Sequence, residues 1–394
     1  MRYLIIGNGV SGITSAELIR ERDIESEITV ITEEKYPYYA RPQLIEFLAG
    51  NIKKEEIFFY TDEWYKSKKI NVILEERVLR IDIAKKEVET DKGKYNYDKL
   101  LVASGAKPQI PPLENENVEG VFTLRNLDDA LNILSYIEGK ETVILLGCGL
   151  LGLETGRALY QRGLKIIGLE FFPRLLPRQL DDEGSKVLQN IIQSKFGFSF
   201  YLGVKAKKVL KNNEKFVGIE LEDGRIIHGD LLIISAGIIP KVEFAKNSGI
   251  NVNKGIVVND YMETNVEGIF AVGDCVEHQG RIYGIIPACL DQAKVAVENI
   301  MGRKVEYKGT IPLNSLKVTG VDLTSIGEIN PEGEGYEVKV YKDKEGFYRK
   351  LVFKDDKLVG AILLGDKRKY VNKIVGLIKK QETIEDKEKL LYEE

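Results

Sequence analysis

The sequence predicts an α/β chain in which one strand–turn–helix–strand design occurs twice, followed by a small α+β domain. Three observations predict it. Residues 5–17 read IIGNGVSGITSAE and residues 144–156 read ILLGCGLLGLETG, each an apolar strand, a glycine-punctuated turn and a helix start. The segments that follow also repeat: GKYNYDKLLVASGAKP (93–108) parallels GRIIHGDLLIISAGIIP (224–240), with a glycine turn, an aspartate, an apolar strand, a glycine and a proline in the same order. From about residue 306 the character changes to hairpin-like strands, YEVKVYKD, FYRKLVFKD and LVGAILLG.

Taken in order, RYLIIG, SGITSAELIRER and EITVIT make a first βαβ unit over residues 2–34. Short β-rich pieces follow between 70 and 104, and KEVETDKGKYNY has the alternation and the central Gly93 of a hairpin. KPQIPP (107–112) marks a boundary. A second βαβ unit runs from TVILLG through GLETGRALYQRG to KIIGLE, and a second β-rich meander succeeds it. GIFAVGDC (268–275) is a further strand-to-turn element, and PACLDQAKVAVENIMG (287–302) is an amphipathic helix. The expected domains are 1–110 with 238–305, then 111–237, then 306–394. In the last of these Val371, Ile374, Val375 and Ile378 share a helical face. The charged residues 381–394 are expected to fray or to dock elsewhere.

Composition narrows the function. Apolar residues are 43% of the chain and charged residues 30%, a water-soluble globular profile. The 57 basic and 61 acidic side chains nearly cancel, leaving a net charge of −4 without the basic excess of a nucleic-acid surface. The longest apolar runs, such as LLIISAGII at 231–239, are too short for a membrane span. The chain opens on RYLIIGNG with no charged-then-apolar leader, so the cytoplasm is the expected location. Cys148, Cys275 and Cys289 form no CxxC pair, and His228 and His278 are the only histidines, so no zinc or iron–sulfur site is expected. Small buried residues are the plain reading of the three cysteines.

The two glycine turns carry the chemistry. Gly7, Gly9 and Gly12 fit G-x-G-x-x-G, and Gly147, Gly149 and Gly152 fit it again. The first glycine allows a tight turn, the second lets backbone approach a pyrophosphate, and the third lets helix and strand pack closely. Val10, Ser11, Leu150 and Leu151 then present helix N-terminal N–H groups to the phosphates. Both units are Rossmann-like, and the acid closing the second strand selects the nucleotide. Glu170 can accept from an adenine ribose diol and repels a 2′-phosphate, which favours NADH over NADPH. No arginine immediately follows it, Arg174 being the nearest. In the first unit Thr32 occupies one plausible ribose position and Glu33 the next, with Glu33 preferred.

Two Rossmann-like units, LLVASGA (100–106) and FAVGDC (270–275) together resemble the FAD-dependent pyridine nucleotide–disulfide oxidoreductase superfamily over nearly the whole chain. The resemblance implies glutathione-reductase-type nucleotide-binding domains, FAD at the first cradle, nicotinamide at the second, and a flavin domain that is split. It implies that Gly273 and Asp274 meet the ribityl–phosphate region and that the backbone of Val78 meets the adenine. Arg125 is implied as a flavin-nucleotide contact, with Ala103, Ser104, Gly105 and Gly237 in the strand–turn segments that complete the two sites.

The stretch EKYPYYARPQLIEFLAG (34–50) lies where thiol-dependent members carry a redox cysteine, and it contains none. Without a thiolate in this segment, disulfide-reductase and sulfenate cycles built on it are excluded. The YYARPQL pattern instead resembles NADH:rubredoxin oxidoreductases and the flavin portion of assimilatory nitrite reductases. So do YGIIPACLDQAKVAVENIMG (283–302) and LKVTGVDLTSIGE (316–328), with Pro287 pre-organising a helix start. By that match Arg41, beside Pro42, reaches the FAD phosphates, and Glu154 lies near the nicotinamide. A sister branch typically has a lysine shortly after Arg-Pro; here the nearest position is Glu46, so its ion pair to the glutamate is not assumed. His278 in EHQG is read as a solvated loop histidine. The expected partner is a rubredoxin-like electron carrier or an oxidoreductase subunit; an oligomer stays open.

Overall fold

The computed structural model describes every residue except Thr319, Gly320, Lys344, Glu345 and Glu394. By compactness the chain forms two units, residues 1–43, 53–107 and 238–310, and residues 44–52, 108–237 and 311–394. Segment 44–52, inside the first nucleotide-binding region on sequence grounds, is counted with the second unit.

In the first unit a five-stranded sheet runs in the order Ile269–Ala271, Lys99–Val102, Arg2–Ile6, Glu27–Ile31, Ile70–Ile73. All four pairings are parallel, with Ile6 beside Ile31 and beside Val102. Parallel strands are covered on both faces, which is why they read as continuous apolar runs such as Leu4–Ile6 and Leu100–Val102, all buried. Each such side chain removed from water contributes about 1.5–3 kcal/mol before the ordering cost. The helices Val10–Arg22 and Ile286–Ile300 pack against each other beside this sheet. Val78–Asp82, Glu87–Thr90 and Lys94–Asn96 form the antiparallel meander that contains the expected hairpin. Arg20, in the last turn of the first helix, is a buried tie: its guanidinium donates to the carbonyls of Asp23, Ser26, Lys68 and Lys69.

The second unit repeats the plan. Its parallel sheet is ordered Ser199–Leu202, Lys165–Glu170, Thr142–Leu146, Leu231–Ile234, Val121–Thr123, and a three-stranded meander spans Ala206–His228. Leu146 pairs with Leu169 and with Ile234, the same relationship that Ile6 has with its neighbours.

This unit also contains the antiparallel C-terminal sheet, ordered Leu313–Val318, Val321–Gly327, Lys357–Leu364, Tyr348–Lys354, Tyr336–Lys342. Its first hairpin was not legible as strands. Of the stretch 316–328, Thr319 and Gly320 lie outside the described residues. The N-cap of the Asp182–Phe196 helix joins sheet and Rossmann-like region, because the Asp181 carboxylate accepts from Gly184 N at 2.9 Å, Tyr348 Oη at 2.7 Å and Lys350 Nζ at 2.9 Å. The Arg368–Lys380 helix lays Tyr370, Ile374 and Ile378 on the sheet, with Val371 and Val375 at the margin of the same cluster.

Of the two outcomes expected for the tail, fraying or docking, the structure shows docking, onto the C-terminal domain itself. Lys387–Tyr392 is helical and buries Leu390 and Leu391 in the C-terminal domain's own core. Buried Arg349 stacks over Tyr370 at 3.7 Å, pairs with Asp366, and donates to the carbonyls of Leu391 and, at 2.9 Å, Glu393. The Tyr370 hydroxyl donates to Leu390 O at 2.8 Å. Among the described residues no helix is long and apolar enough to cross a membrane.

Candidate functional site: two dinucleotide cradles

Both glycine turns stand at the carboxyl ends of parallel strands, where open α/β sheets bind ligands. Gly7 N donates to Ile31 O at 2.8 Å and Gly147 N to Leu169 O at 2.9 Å. Gly7 has φ +105° and Gly147 φ +99°. A Cβ would lie 2.2 Å from Ala103 O at Gly7 and 2.3 Å from Ser235 O at Gly147, so neither position admits a side chain. Gly12 and Gly152 are equally tight, against Gly7 O at 1.9 Å and Gly147 O at 2.2 Å. Gly9 and Gly149 differ: a Cβ on either would meet nothing within 4 Å. The first and third glycines therefore serve the fold, and the middle one keeps a space that a side chain would fill. Both helices that begin here lack an acid in the first turn, which leaves the positive end of each dipole for an anion.

The ends of the second strands diverge. Glu170 is buried, and its two carboxylate oxygens accept from Cys148 N at 2.7 Å and Phe172 N at 3.0 Å. These bonds orient the carboxylate and leave lone pairs for a ribose diol. Leu151, the second helical residue, is exposed at the mouth of this cradle. Arg174 is held by Asp182 at 2.6 Å. The register places Thr32, not Glu33, at the position matching Glu170, since Ile31 and Leu169 pair identically. Thr32 is buried and its hydroxyl accepts from Glu34 N, whereas Glu33 is exposed and pairs with Lys241.

Around the first cradle, Ala103, Ser104 and Gly105 follow the neighbouring strand, and Ser104 Oγ donates to Lys241 O at 2.8 Å. Gly273 and Asp274 occupy a 3₁₀ turn directly after the Ile269–Ala271 strand of the same sheet. Val78 begins the meander, opposite Thr90. Arg41 pairs with Glu34 at 2.5 Å, which also accepts from Tyr39 Oη at 2.5 Å, yet Arg41 Nη1 is buried with no partner. Pro42 beside it is exposed. Asn8 was missed in the sequence. It is the variable residue of the first G-x-G, it is buried next to the Tyr65 hydroxyl, and neither polar atom of its side chain makes a well-formed hydrogen bond. Buried polar groups are normally satisfied, so Asn8 and Arg41 Nη1 are donors fit for a polar ligand of phosphate or hydroxyl character.

The remaining candidates lie in the second unit. Arg125 N donates to Asp129 Oδ2 at 2.7 Å in the N-cap of the Leu127–Tyr136 helix. Gly237 has φ +111° and its carbonyl accepts from Gln109 N. Glu154 is half-buried on the Leu150–Gln161 helix, one turn before Arg157. The three cysteines are free and buried, and burial is the first cause that raises each thiol above its ordinary range. His278 is not a solvated loop residue. It is 3% exposed, ends the Val276–His278 strand, and bonds Asp260 Oδ1 through Nε2 at 2.8 Å, with Tyr307 packed edge-on. Among the described residues no cluster of His, Cys, Asp and Glu could hold a metal ion.

Two equivalent glycine cradles on two parallel sheets define a protein built to hold two dinucleotides. The chain belongs to the pyridine nucleotide-disulphide oxidoreductase family, which it matches over residues 1–299 and which uses FAD and NAD(H). Residues 312–382 match the rubredoxin NAD+ reductase C-terminal domain.

A nitrite reductase [NAD(P)H] of Bacillus subtilis is 33% identical over 392 residues, 99% of this chain and 48% of that protein. An NADH oxidase of Methanocaldococcus jannaschii is 34% identical, covering 93% of this chain and 88% of its own. The crystal structure of NADH:rubredoxin oxidoreductase from Clostridium acetobutylicum superposes with a TM-score of 0.81 at 29% identity, covering 98% of this chain and 97% of that one. The chain thus spans about half the length of the nitrite reductase that it matches.

Proposed function

We propose that this chain takes a hydride from NADH at the second cradle and passes electrons through FAD to a small one-electron carrier protein of rubredoxin type, with no redox-active cysteine. The observation that carries the reading is the pairing of a cysteine-free 34–50 segment with a C-terminal domain of rubredoxin-reductase type. Bound FAD supplies the conversion of a hydride into electrons delivered singly. Gly147, Gly149 and Gly152 take the NADH pyrophosphate on helix N–H groups, Glu170 takes the ribose, and Glu154 sits near the nicotinamide. Gly7, Gly9, Gly12, Asn8 and Arg41 hold the FAD phosphates, with Asp274 on the ribityl hydroxyls. Glu33 or Thr32 takes the FAD ribose. Binding that fixes both ligands supplies the orientation on which hydride transfer depends.

Anaerobic titration of the purified protein with NADH and then NADPH, followed by mixing with rubredoxin or with air, tests this. The expected result is bleaching by NADH, a much weaker response to NADPH, and faster reoxidation by rubredoxin than by air. Faster reoxidation by air would instead favour an oxidase, the reading that the 34% identical NADH oxidase supports. The half-length match to nitrite reductase supports a third reading, a flavoprotein subunit of a larger complex. A stoichiometric partner that carries a haem or iron–sulfur module on pull-down would establish it.

A further inference from the structure

Three elements of the first unit converge on one thiol. Cys289 lies in the first turn of the Ile286–Ile300 helix and is 5% exposed. Its Sγ is 3.7 Å from Asp274 Oδ1, and the Ser11 hydroxyl of the first cradle helix faces it as well. Gly273, with φ +85°, threads between them: a Cβ there would lie 2.5 Å from Ser11 Oγ and 3.7 Å from Cys289 Sγ. One turn along the same helix, buried Gln292 accepts from Gly273 N at 2.8 Å. The Gly273–Cys275 turn is thus held by two side chains of a single helix, one on its backbone and one on its carboxylate.

Burial first, and the Asp274 charge second, push the Cys289 thiol up to about 12, so it keeps its proton at neutral pH. A protonated thiol beside a carboxylate donates to it, and that bond fixes how the carboxylate is turned. We propose that Cys289 is a positioning residue for FAD, fixing the Asp274 carboxylate through an S–H···O bond and taking no part in the redox chemistry. This rests on the cysteine-free flavin reading above and gives a role to a thiol that touches the proposed ribityl acceptor.

The test compares wild type with Cys289→Ser, which still donates, and Cys289→Val and Cys289→Ala, which do not. FAD affinity is read by reconstituting deflavinated protein, and electron uptake by anaerobic dithionite titration of the holoprotein. Loss of one weak S–H···O bond, acting on FAD only through Asp274, predicts FAD binding about three- to tenfold weaker in the Val and Ala variants. The Ser variant is expected near wild type, with a single electron pair per FAD throughout. Unchanged affinity in both non-donating variants overturns the proposal, as does failure of Ser to restore binding. Extra electrons taken up by wild type but not by Cys289→Val would make the thiol a redox group and overturn it too. FAD retention is measured without any acceptor, so a failure of rubredoxin as acceptor leaves this result standing on its own.

Discussion

Glu46 Oε1 and Arg157 Nη2 lie 2.6 Å apart, and Asn51 Nδ2 donates to the other oxygen of the same carboxylate at 2.6 Å. The Arg157 side chain is 5% exposed, so the pair fastens the Gln43–Ala49 helix to the helix that opens the second cradle. Arg162 adds a bond to Leu48 O at 2.9 Å. Segment 44–52 is therefore clamped to the helix that opens the second cradle.

Removing Glu46 strands a buried cation. Glu46→Gln is expected to cost about 1–3 kcal/mol, less than for a fully buried pair because Glu46 is 39% exposed. Urea unfolding of wild type, Glu46→Gln, Arg157→Met and the double variant checks it. A double variant no worse than Glu46→Gln alone is expected, and full additivity would show that the two residues do not interact.

The middle and first glycines of the second cradle should fail differently. Gly149→Ala meets nothing within 4 Å and has ordinary backbone, so it should fold normally and lose about tenfold or more in NADH affinity as the methyl fills the phosphate space. Gly147→Ala combines φ +99° with a 2.3 Å clash and should instead lower the melting temperature. Thermal melts together with NADH titrations separate the two outcomes.

Glu170→Ala removes the acceptor for two backbone N–H groups as well as the proposed ribose contact. KM for NADH should rise by about 10- to 100-fold with a smaller change in kcat, and the preference over NADPH should shrink. Steady-state kinetics with both nucleotides is the check; an unchanged preference would remove Glu170 from nucleotide selection.

Asp181 should make stability fall in acid. Burial alone would raise its carboxyl, but bonds from Lys350, Gly184 N–H and Tyr348 prevail and hold it below the ordinary carboxylate value. The folded state therefore prefers the charged form. Its contribution is fully present above the unfolded pKa of about 3.9 and is lost as pH falls through the lower folded value. Urea midpoints measured from pH 7 to pH 3 should drop more steeply for wild type than for Asp181→Asn, which should be weaker than wild type at pH 7.

Ending the chain at residue 386 would delete the Lys387–Tyr392 helix and leave Arg349 without the carbonyls of Leu391 and Glu393. Loss of two buried leucines and of partners for a buried cation should cost about 3–6 kcal/mol in the C-terminal domain. Calorimetry should show a transition at lower temperature, and a melt identical to full length would mean the tail does not hold the sheet.

The glycine cradles were legible because backbone constraints are written locally: Gly7 and Gly12 stand where only glycine fits, five residues apart. The internal repeat was legible for the same reason, since LLVASG and LLIISAG mark matching strands. His278 was not, because its burial depends on Asp260 and Tyr307, which are remote in sequence. Asn8 occupies a position that the motif leaves unspecified, and only its missing hydrogen bonds point to a ligand. The terminal helix is short and mostly charged, so Leu390 and Leu391 became meaningful only with Arg349 and Tyr370 in place beneath them.

Thr32 and Glu170 occupy one register position in two copies of a single backbone. Since the two glycine turns share one main-chain geometry, the proposed division of labour between the halves of this protein would rest on a few side chains at strand tips. A lineage that doubled such a holder could assign each copy its own guest by point substitutions alone, leaving the scaffold that shapes the grip untouched.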